Sequence, residues 1–254
     1  MTGNNKKAVV IQERDRLLFR ELSRMRVIDR EQVKVVAGFR STTAVNLRLS
    51  KLLHAGFLRR IFIGTAPGNK KALYTLSSTS AALVGDDRSR KSLSLSGTLG
   101  LEHQLAVNAI YLTIKFHPIA VNDLRFERWI TFRQPLPGTA LIPDGYFELQ
   151  SPTGIHPMFL EVDLGTEVSR IWRDKTAAYL QLATSGQFEK LFHQSRFRVL
   201  VVATTRRRLE TIRSSVAKST EKIFWFSNFE QIKGNSFWAS VWLRPKGNQL
   251  QSLF

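Results

Sequence analysis

A stretch rich in serine, glycine and charged residues interrupts the chain about a third of the way along. Residues 85–97 read GDDRSRKSLSLSG, a composition typical of a linker between two folded units. The charge density falls at the same place, since residues 1–90 carry a net charge of +11 and residues 91–254 only +7. We therefore predict two domains, at 1–84 and 99–254, joined by a linker at 85–98.

Composition narrows the classes of protein that these two domains can form. Hydrophobic residues make up 43% of the 254 residues, enough for ordinary cores, and the formal net charge is +18. A folded chain this basic usually binds a polyanion, nucleic acid first, although a basic protein that merely stays soluble is the alternative. The absence of cysteine excludes disulfide scaffolds, cysteine metal sites and cysteine nucleophiles. With no apolar run of membrane-spanning length and no signal-peptide pattern, we expect a soluble, cytoplasmic protein and no membrane partner.

The first domain has the element order of a winged helix-turn-helix. Helical spacing of apolar residues predicts helices at 13–27, 29–36 and 42–54, with Asp29 and Ser41 as N-caps of the second and third. A strand at 57–63, a basic hairpin tip at 64–71 and a return strand at 72–76 complete the pattern.

Polar and basic side chains on the third helix and the hairpin indicate double-stranded DNA as the partner. Such a helix can enter the major groove while the hairpin lies along phosphates, and a homodimer on a palindromic site is common for this fold. Leu47 would contact either a thymine methyl group or a protein partner. A fold used only for dimerisation or protein contact is the alternative. The candidate DNA-binding residues are Arg40, Thr43, Asn46, Leu47, Arg48, Ser50, Lys51, Arg59, Arg60, Lys70 and Lys71.

The second domain alternates helices and strands in a way that predicts an α/β sheet with helices on its faces. The expected order is helix, three strands, helix, strand, helix and strand. The ranges are 99–116, 127–133, 141–149, 158–165, 166–183, 196–203, 206–217 and 222–226. Aromatic residues near the C-terminus fit a further strand at 237–243 with both faces covered, although they would also serve to stack single-stranded bases.

Three carboxylates of the second domain are expected to converge. Glu161 and Asp163 share one face of a strand, and Asp144 lies on the preceding strand of the hairpin. Such a cluster is costly unless a divalent cation or a basic side chain neutralises it, and Mg²⁺ favours oxygen ligands. Lys175 stands on a core-facing helical stripe, which makes sense if its ammonium reaches the acids. The alternatives are that it extends to solvent or forms a purely structural ion pair.

These motifs resemble the PD-(D/E)xK nuclease superfamily, through Pro143-Asp144-Gly145 followed by Glu161-Val162-Asp163. Residues 12–226 as a whole are similar to the replication-relaxation family of plasmid and mobile-element proteins. That similarity adds Glu102-His103, the run Leu164-Gly165-Thr166-Glu167 and Lys175 through Tyr179.

The resemblance implies a winged helix followed by a restriction-endonuclease-like α/β domain, and a metal site with assigned roles. Asp144, Glu161 and the backbone carbonyl of Val162 would bind Mg²⁺ or Mn²⁺, with Glu102 as a possible outer ligand. The superfamily places its lysine where this chain has Asp163, so Lys175 would act in its stead. Asp163 would then be a further ligand or would orient Lys175.

The resulting hypothesis is a metal-dependent DNA endonuclease or nickase of a plasmid or mobile element, working with other proteins of a replication or transposition complex. The alternative is a catalytically inactive DNA-binding regulator or assembly factor that uses the nuclease-like fold as a platform. A third possibility is an enzyme acting on RNA or single strands.

Overall fold

A computed structural model describes residues 9–65, 68–86, 97–165, 167 and 169–254. These described residues form a mixed α/β structure with one three-stranded and one five-stranded sheet. It divides into two compact units, residues 1–112 and 113–254. Most of the predicted linker, 87–96, lies outside the described residues, and the predicted boundaries stay predictions. Within the described part of the chain, no helix is both long and apolar enough to cross a membrane.

In its described residues, the first unit contains three helices, a hairpin and two further helices. Its elements are α1 (Glu13–Met25), β1 (Ile28–Asp29), α2 (Arg30–Val36), α3 (Thr42–His54), β2 (Leu58–Thr65), β3 (Asn69–Leu76), α4 (Ser78–Leu83) and α5 (Gly97–Phe116), of which residues 97–112 belong to this unit. The strands pair antiparallel in the order β1-β3-β2.

Local capping sets where these helices begin. Asp29 accepts a hydrogen bond from the backbone N–H of Gln32 at 2.8 Å and caps α2, and Ser41 caps α3 by accepting from Ala44 at 3.2 Å. Both predicted N-caps are confirmed. The first helix ends at Met25 rather than at 27, because Arg26 adopts a left-handed φ of 67° that stops the helical ladder.

The hairpin is longer than predicted, and its tip is correspondingly shorter. Strand pairing continues to Thr65 and resumes at Asn69, so Lys70 and Lys71 lie within β3 opposite Gly64 and Ile63. The expectation that these lysines belong to a loop is wrong. The hydrogen bonds between the strands are made by backbone groups alone, so lysines whose side chains are exposed to solvent can take part in the pairing.

The second unit is a five-stranded sheet with helices. Its elements are β4 (Arg125–Ile130), β5 (Gly145–Ser151), β6 (Gly154–Asp163), α6 (Ser169–Thr184), α7 (Gln187–Phe192), β7 (Arg198–Ala203), α8 (Arg206–Val216), β8 (Phe224–Asn228) and a 3₁₀ helix (Gly234–Trp238). The strand order is β4-β5-β6-β7-β8, with β4, β5 and β6 antiparallel and β6, β7 and β8 parallel. From β4 to β8 the predicted order is confirmed except for α7, which is too short for helical periodicity to show. The helix predicted to open this domain, at 99–116, is α5, most of which belongs to the first unit.

Aromatic side chains dominate the core of this unit. Phe159 of β6 lies against Tyr179 of α6 and Phe192 of α7, with ring centroids 5.4 and 5.6 Å apart. All three rings are buried. This packing fixes α6 against the sheet face that carries the polar groups described below.

The C-terminal aromatics are core residues, as one interpretation predicted, but they do not form a strand. Phe237 and Trp238 lie in the 3₁₀ helix, and Trp242 donates its indole N–H to the Phe237 carbonyl at 2.9 Å. Leu243 forms only an isolated bridge to Phe226. The alternation in the sequence therefore reflects a folded-back segment whose rings are buried.

Candidate functional site

Asp144 lies immediately before β5 rather than on it, which corrects the predicted strand boundary. Pairing with β6 begins at Gly145, opposite Leu160, because the preceding Pro143 has no N–H to donate to a ladder. The Asp144 Oδ2 atom accepts a hydrogen bond from the backbone N–H of Val162 at 2.7 Å. A Cβ on Gly145 would lie 2.4 Å from the ring of Trp129, so glycine is needed beside the aspartate.

Glu161 is a buried carboxylate whose two oxygens are both engaged. Its side chain is 1% exposed, Oε1 accepts from the Tyr179 hydroxyl at 2.6 Å, and Oε2 accepts from Lys175 Nζ at 2.8 Å. Burial raises the pKa of Glu161 to about 7, with Lys175 opposing the rise and Asp144 adding to it. The carboxyl group therefore titrates near neutral pH.

Lys175 reaches the acids, as the sequence pattern suggested. Its Nζ lies 2.8 Å from Glu161 Oε2 and 2.8 Å from Glu167 Oε1, rather than extending to solvent. Burial works against the charged form, but the carboxylates of Glu161, Asp144 and Glu167 outweigh it and raise the pKa of Lys175 above its ordinary value. The ammonium is fixed in the charged state between two carboxylates.

Asp163 does not take the position predicted for it. Arg208 Nε and Nη2 each donate to it at 2.7 Å, Trp172 Nε1 donates at 2.9 Å, and the Gly165 N–H donates at 2.7 Å. Those four donors fill the acceptor positions of a carboxylate, so neither a metal ligand role nor contact with Lys175 agrees with the structure. Burial alone would raise its pKa, but the hydrogen bonds from Arg208 and Trp172 outweigh burial and lower it.

Sequence reasoning did not assign Glu167, Tyr179 or Arg208 to this site. Glu167 and Tyr179 stand inside the run of residues that carried the family resemblance, which was the available signal. Arg208 is the third of three arginines in the first turn of α8, where cations face the positive end of a helix dipole. Arg206 and Arg207 occupy the same turn and are exposed, so this placement alone does not reveal which arginine meets a buried acid.

The acids form no ready-made cage for a metal. Among the described residues, no three histidine or acidic side chains are grouped as a metal site. Glu102 is exposed on α5 in the first unit, and its assignment as an outer ligand stays a prediction. Glu167 Oε2 is buried and has no hydrogen-bond partner among the described residues, so this carboxylate has acceptor capacity left.

The second group of candidate residues lies on the surface of the first unit. Leu47 is 59% exposed on α3, opposite the buried Val45, Leu49 and Leu52. The guanidinium of Arg60 lies 5.2 Å from the centroid of the exposed Phe62 ring on β2. The candidates that the structure exposes are Arg40, Thr43, Asn46, Leu47, Ser50, Lys51, Arg59, Arg60, Lys70 and Lys71.

Two predicted DNA-binding cations already have an acidic partner within the protein. Arg48 Nε donates to Asp15 Oδ1 at 2.9 Å, Nη2 binds Asp15 Oδ2 and the carbonyl of Val10, and the side chain is 13% exposed. Arg48 is therefore engaged inside the protein, because the flank of α3 that carries it meets α1, and its role in DNA binding stays a prediction. Lys71 Nζ is paired with Asp29 Oδ2 at 2.5 Å but remains 43% exposed.

Comparison with known proteins identifies one family. A family model described as replication-relaxation matches residues 19–194, more than half of the chain. This range contains Asp144, Glu161, Glu167, Lys175 and all of α3, whereas Arg208 follows it. No curated protein and no solved structure matches the chain significantly.

Proposed function

Because the chain belongs to the replication-relaxation family, we propose that it is a DNA-binding protein with a metal-dependent endonuclease or nickase domain. The family description indicates a role in the replication or relaxation of a plasmid or mobile element. In this proposal the first unit is a winged helix that binds double-stranded DNA. The second unit is a PD-(D/E)xK-like domain that hydrolyses a phosphodiester bond.

The observation that carries the proposal is the group formed by Asp144, Glu161 and Lys175. Asp144 is bound to the backbone N–H of Val162, and the adjacent Glu161 carboxylate lies 2.8 Å from the Lys175 ammonium. Two acids and a lysine meet at one end of the β5–β6 hairpin although 30 residues separate the first from the last. An arrangement that buries a carboxylate at 1% exposure is expensive, and function is a reason to retain it.

The residues of this group fit Mg²⁺ or Mn²⁺. Carboxylate oxygens are the ligands that hard cations prefer, and Mg²⁺ usually keeps several waters while binding through one or two carboxylates. The buried Glu167 Oε2 atom, which lacks a partner among the described residues, also favours a further positive charge here. Asp144 and Glu161 would hold the cation together with the backbone carbonyl of Val162.

Each side chain then has a definable task. The bound cation would polarise the phosphate and lower the pKa of a bound water. Lys175 would donate hydrogen bonds to a phosphoryl oxygen, where negative charge develops as water adds to phosphorus and the ester oxygen leaves. Tyr179 fixes the orientation of Glu161 through its hydroxyl group.

The exposed surface of the first unit supports the DNA-binding part of the proposal. α3 would lie in the major groove, with Asn46 and Lys51 reading base edges or phosphates and Leu47 against a thymine methyl group. The basic side chains of β2 and β3 would contact the phosphate backbone. A homodimer on a palindromic site, and other proteins of a replication or transposition complex, are further proposed partners.

Incubation with supercoiled plasmid tests the proposal. We expect the full-length protein to nick or relax the plasmid with Mg²⁺ or Mn²⁺ and to stop when EDTA is added. Asp144→Asn and Glu161→Gln should lose at least about a hundredfold in rate, as loss of a metal ligand does, while plasmid binding is retained.

Glu189→Gln makes the same change of charge on the exposed surface of α7 and serves as the control. Full cleavage by both Asp144→Asn and Glu161→Gln would refute the nuclease.

The alternative function, an inactive nuclease-like platform, is favoured by one observation. Asp163 stands where the superfamily has its lysine, and four donors saturate it. A protein of this kind would retard the plasmid without cutting it and would give no heat on titration with Mn²⁺.

A further inference from the structure

A divalent cation that binds the Glu161 carboxylate would meet a positive charge already there, the ammonium group of Lys175. Tyr179 holds Oε1 at 2.6 Å and the Lys175 ammonium holds Oε2 at 2.8 Å. The cation would therefore weaken or replace the contact between Lys175 and Glu161, because two positive groups bound to one carboxylate repel each other. If Glu161 were the only partner of Lys175, binding of the cation would release the lysine from the site.

Glu167 gives Lys175 a second anchor. Its Oε1 atom lies 2.8 Å from Nζ, the same distance as that to Glu161, so the ammonium bridges the two carboxylates. Glu167 is less buried than Glu161, with side-chain exposures of 26% and 1%, and so pays a smaller desolvation penalty for remaining charged. The other oxygen of Glu167, Oε2, has no hydrogen-bond partner among the described residues, so no second donor there draws the carboxylate away from Lys175.

The backbone of Glu167 is held by the ion pair of Arg208 with Asp163, the residue that stands where the superfamily has its lysine. Arg208 Nη2 donates to the carbonyl of Glu167, and the same guanidinium is fixed by two hydrogen bonds to the buried Asp163. Glu167, the residue that holds Lys175, is thereby tied to α8. Asp163 contributes to the site by holding Arg208, without touching the lysine.

We propose that Glu167 is a positioning residue that keeps the Lys175 ammonium at the site when Glu161 takes a divalent cation. This inference rests on the metal-dependent function proposed above. It predicts that the effect of Glu167 on cation binding passes through Lys175. If Glu167 were itself a metal ligand, its effect would not depend on the lysine.

Titration calorimetry with MnCl₂ on the full-length protein separates these cases. Four proteins are compared: the wild type, Glu167→Gln, Lys175→Met and the double variant. We expect Glu167→Gln to weaken Mn²⁺ binding about tenfold, because the displaced ammonium loses its charged partner. In the Lys175→Met background the same change should alter the Kd by less than about threefold.

The comparison has a matched control and a replacement variant. Glu189→Gln, on the exposed surface of α7, removes the same charge from the same unit and should leave the Kd for Mn²⁺ unchanged. If Lys175→Met does not fold, Lys175→Gln takes its place, since it also removes the ammonium. The plasmid-nicking rate of Glu167→Gln should fall at saturating Mn²⁺, because the lysine is no longer held.

Each other result overturns the inference. Equal weakening by Glu167→Gln with and without Lys175 would make Glu167 a direct ligand. An unchanged Kd and nicking rate in Glu167→Gln would leave the metal-dependent function standing and remove the role of Glu167. A wild-type protein that binds no Mn²⁺ would refute the proposed function itself, and the inference with it.

Discussion

The stability of Glu161→Gln relative to the wild type should increase as the pH rises, although the substitution removes a charged group from a salt bridge. In the folded state burial raises the pKa of Glu161 from 4.5 to about 7. The folded protein therefore holds the proton more tightly than the unfolded chain does. This contribution to stability is fully present below pH 4.5 and is lost as the pH rises through about 7. Glutamine cannot ionise and does not incur the loss.

The size of the effect follows from these two pKa values. Linkage gives a difference in the free energy of unfolding that grows by about 2.5 kcal/mol between pH 5 and pH 8, in favour of Glu161→Gln. All five tryptophans of the chain lie in the second unit, so tryptophan fluorescence follows the unfolding of that unit alone. The assay is urea denaturation of both proteins at several pH values, with EDTA present to exclude metal ions.

Two results would refute this reasoning. A difference between the proteins that does not change with pH would mean that burial does not perturb Glu161. A difference that moves in favour of the wild type as the pH rises would mean that Lys175 outweighs burial and lowers the pKa of Glu161.

Two further predictions concern the internal ion pairs. Arg208→Gln should destabilise the second unit by about 3 kcal/mol in the same urea assay, because it leaves Asp163 buried without its counter-charge. The control, Arg207→Gln at the adjacent exposed position, should change the stability little, and equal effects of the two variants would contradict the pairing of Arg208 with Asp163. Arg48→Ala should destabilise the first unit by about 3 kcal/mol in thermal unfolding followed by circular dichroism, because its carboxylate partner, Asp15, is only 1% exposed. Lys51→Ala, on the exposed face of α3, should instead lower DNA affinity with little change in stability. A loss of DNA affinity without a loss of stability in Arg48→Ala would refute the structural role of Arg48.

Sequence reasoning succeeded where the determining interactions are local. The limits of α3 follow from the Ser41 cap and the apolar spacing within one helix, and the structure reproduces them. The face shared by Glu161 and Asp163 follows from strand alternation. The core-facing position of Lys175 followed from helical periodicity, and a lysine on such a stripe indicated an acid within reach.

Pairings between distant residues could not be read in the same way. Arg208 is 45 residues from Asp163 in the sequence, and nothing local states that these two side chains meet. The pairing of Arg48 with Asp15 depends on how α3 packs against α1, which a helical wheel of α3 alone does not contain. Where several basic and several acidic residues are available, the tertiary packing determines which of them form ion pairs.

The contact between Lys71 and Asp29 has a consequence for DNA binding. A lysine that neutralises a phosphate normally frees a condensed cation from the DNA, and each such event steepens the fall of affinity with salt, by about 0.9 in the logarithmic slope. A Lys71 that moved to a phosphate would first have to give up its ion pair with Asp29, whose side chain is only 11% exposed. The salt slope would still count Lys71 as a phosphate contact, but its net gain in affinity would be smaller than that of an exposed lysine without an acidic partner.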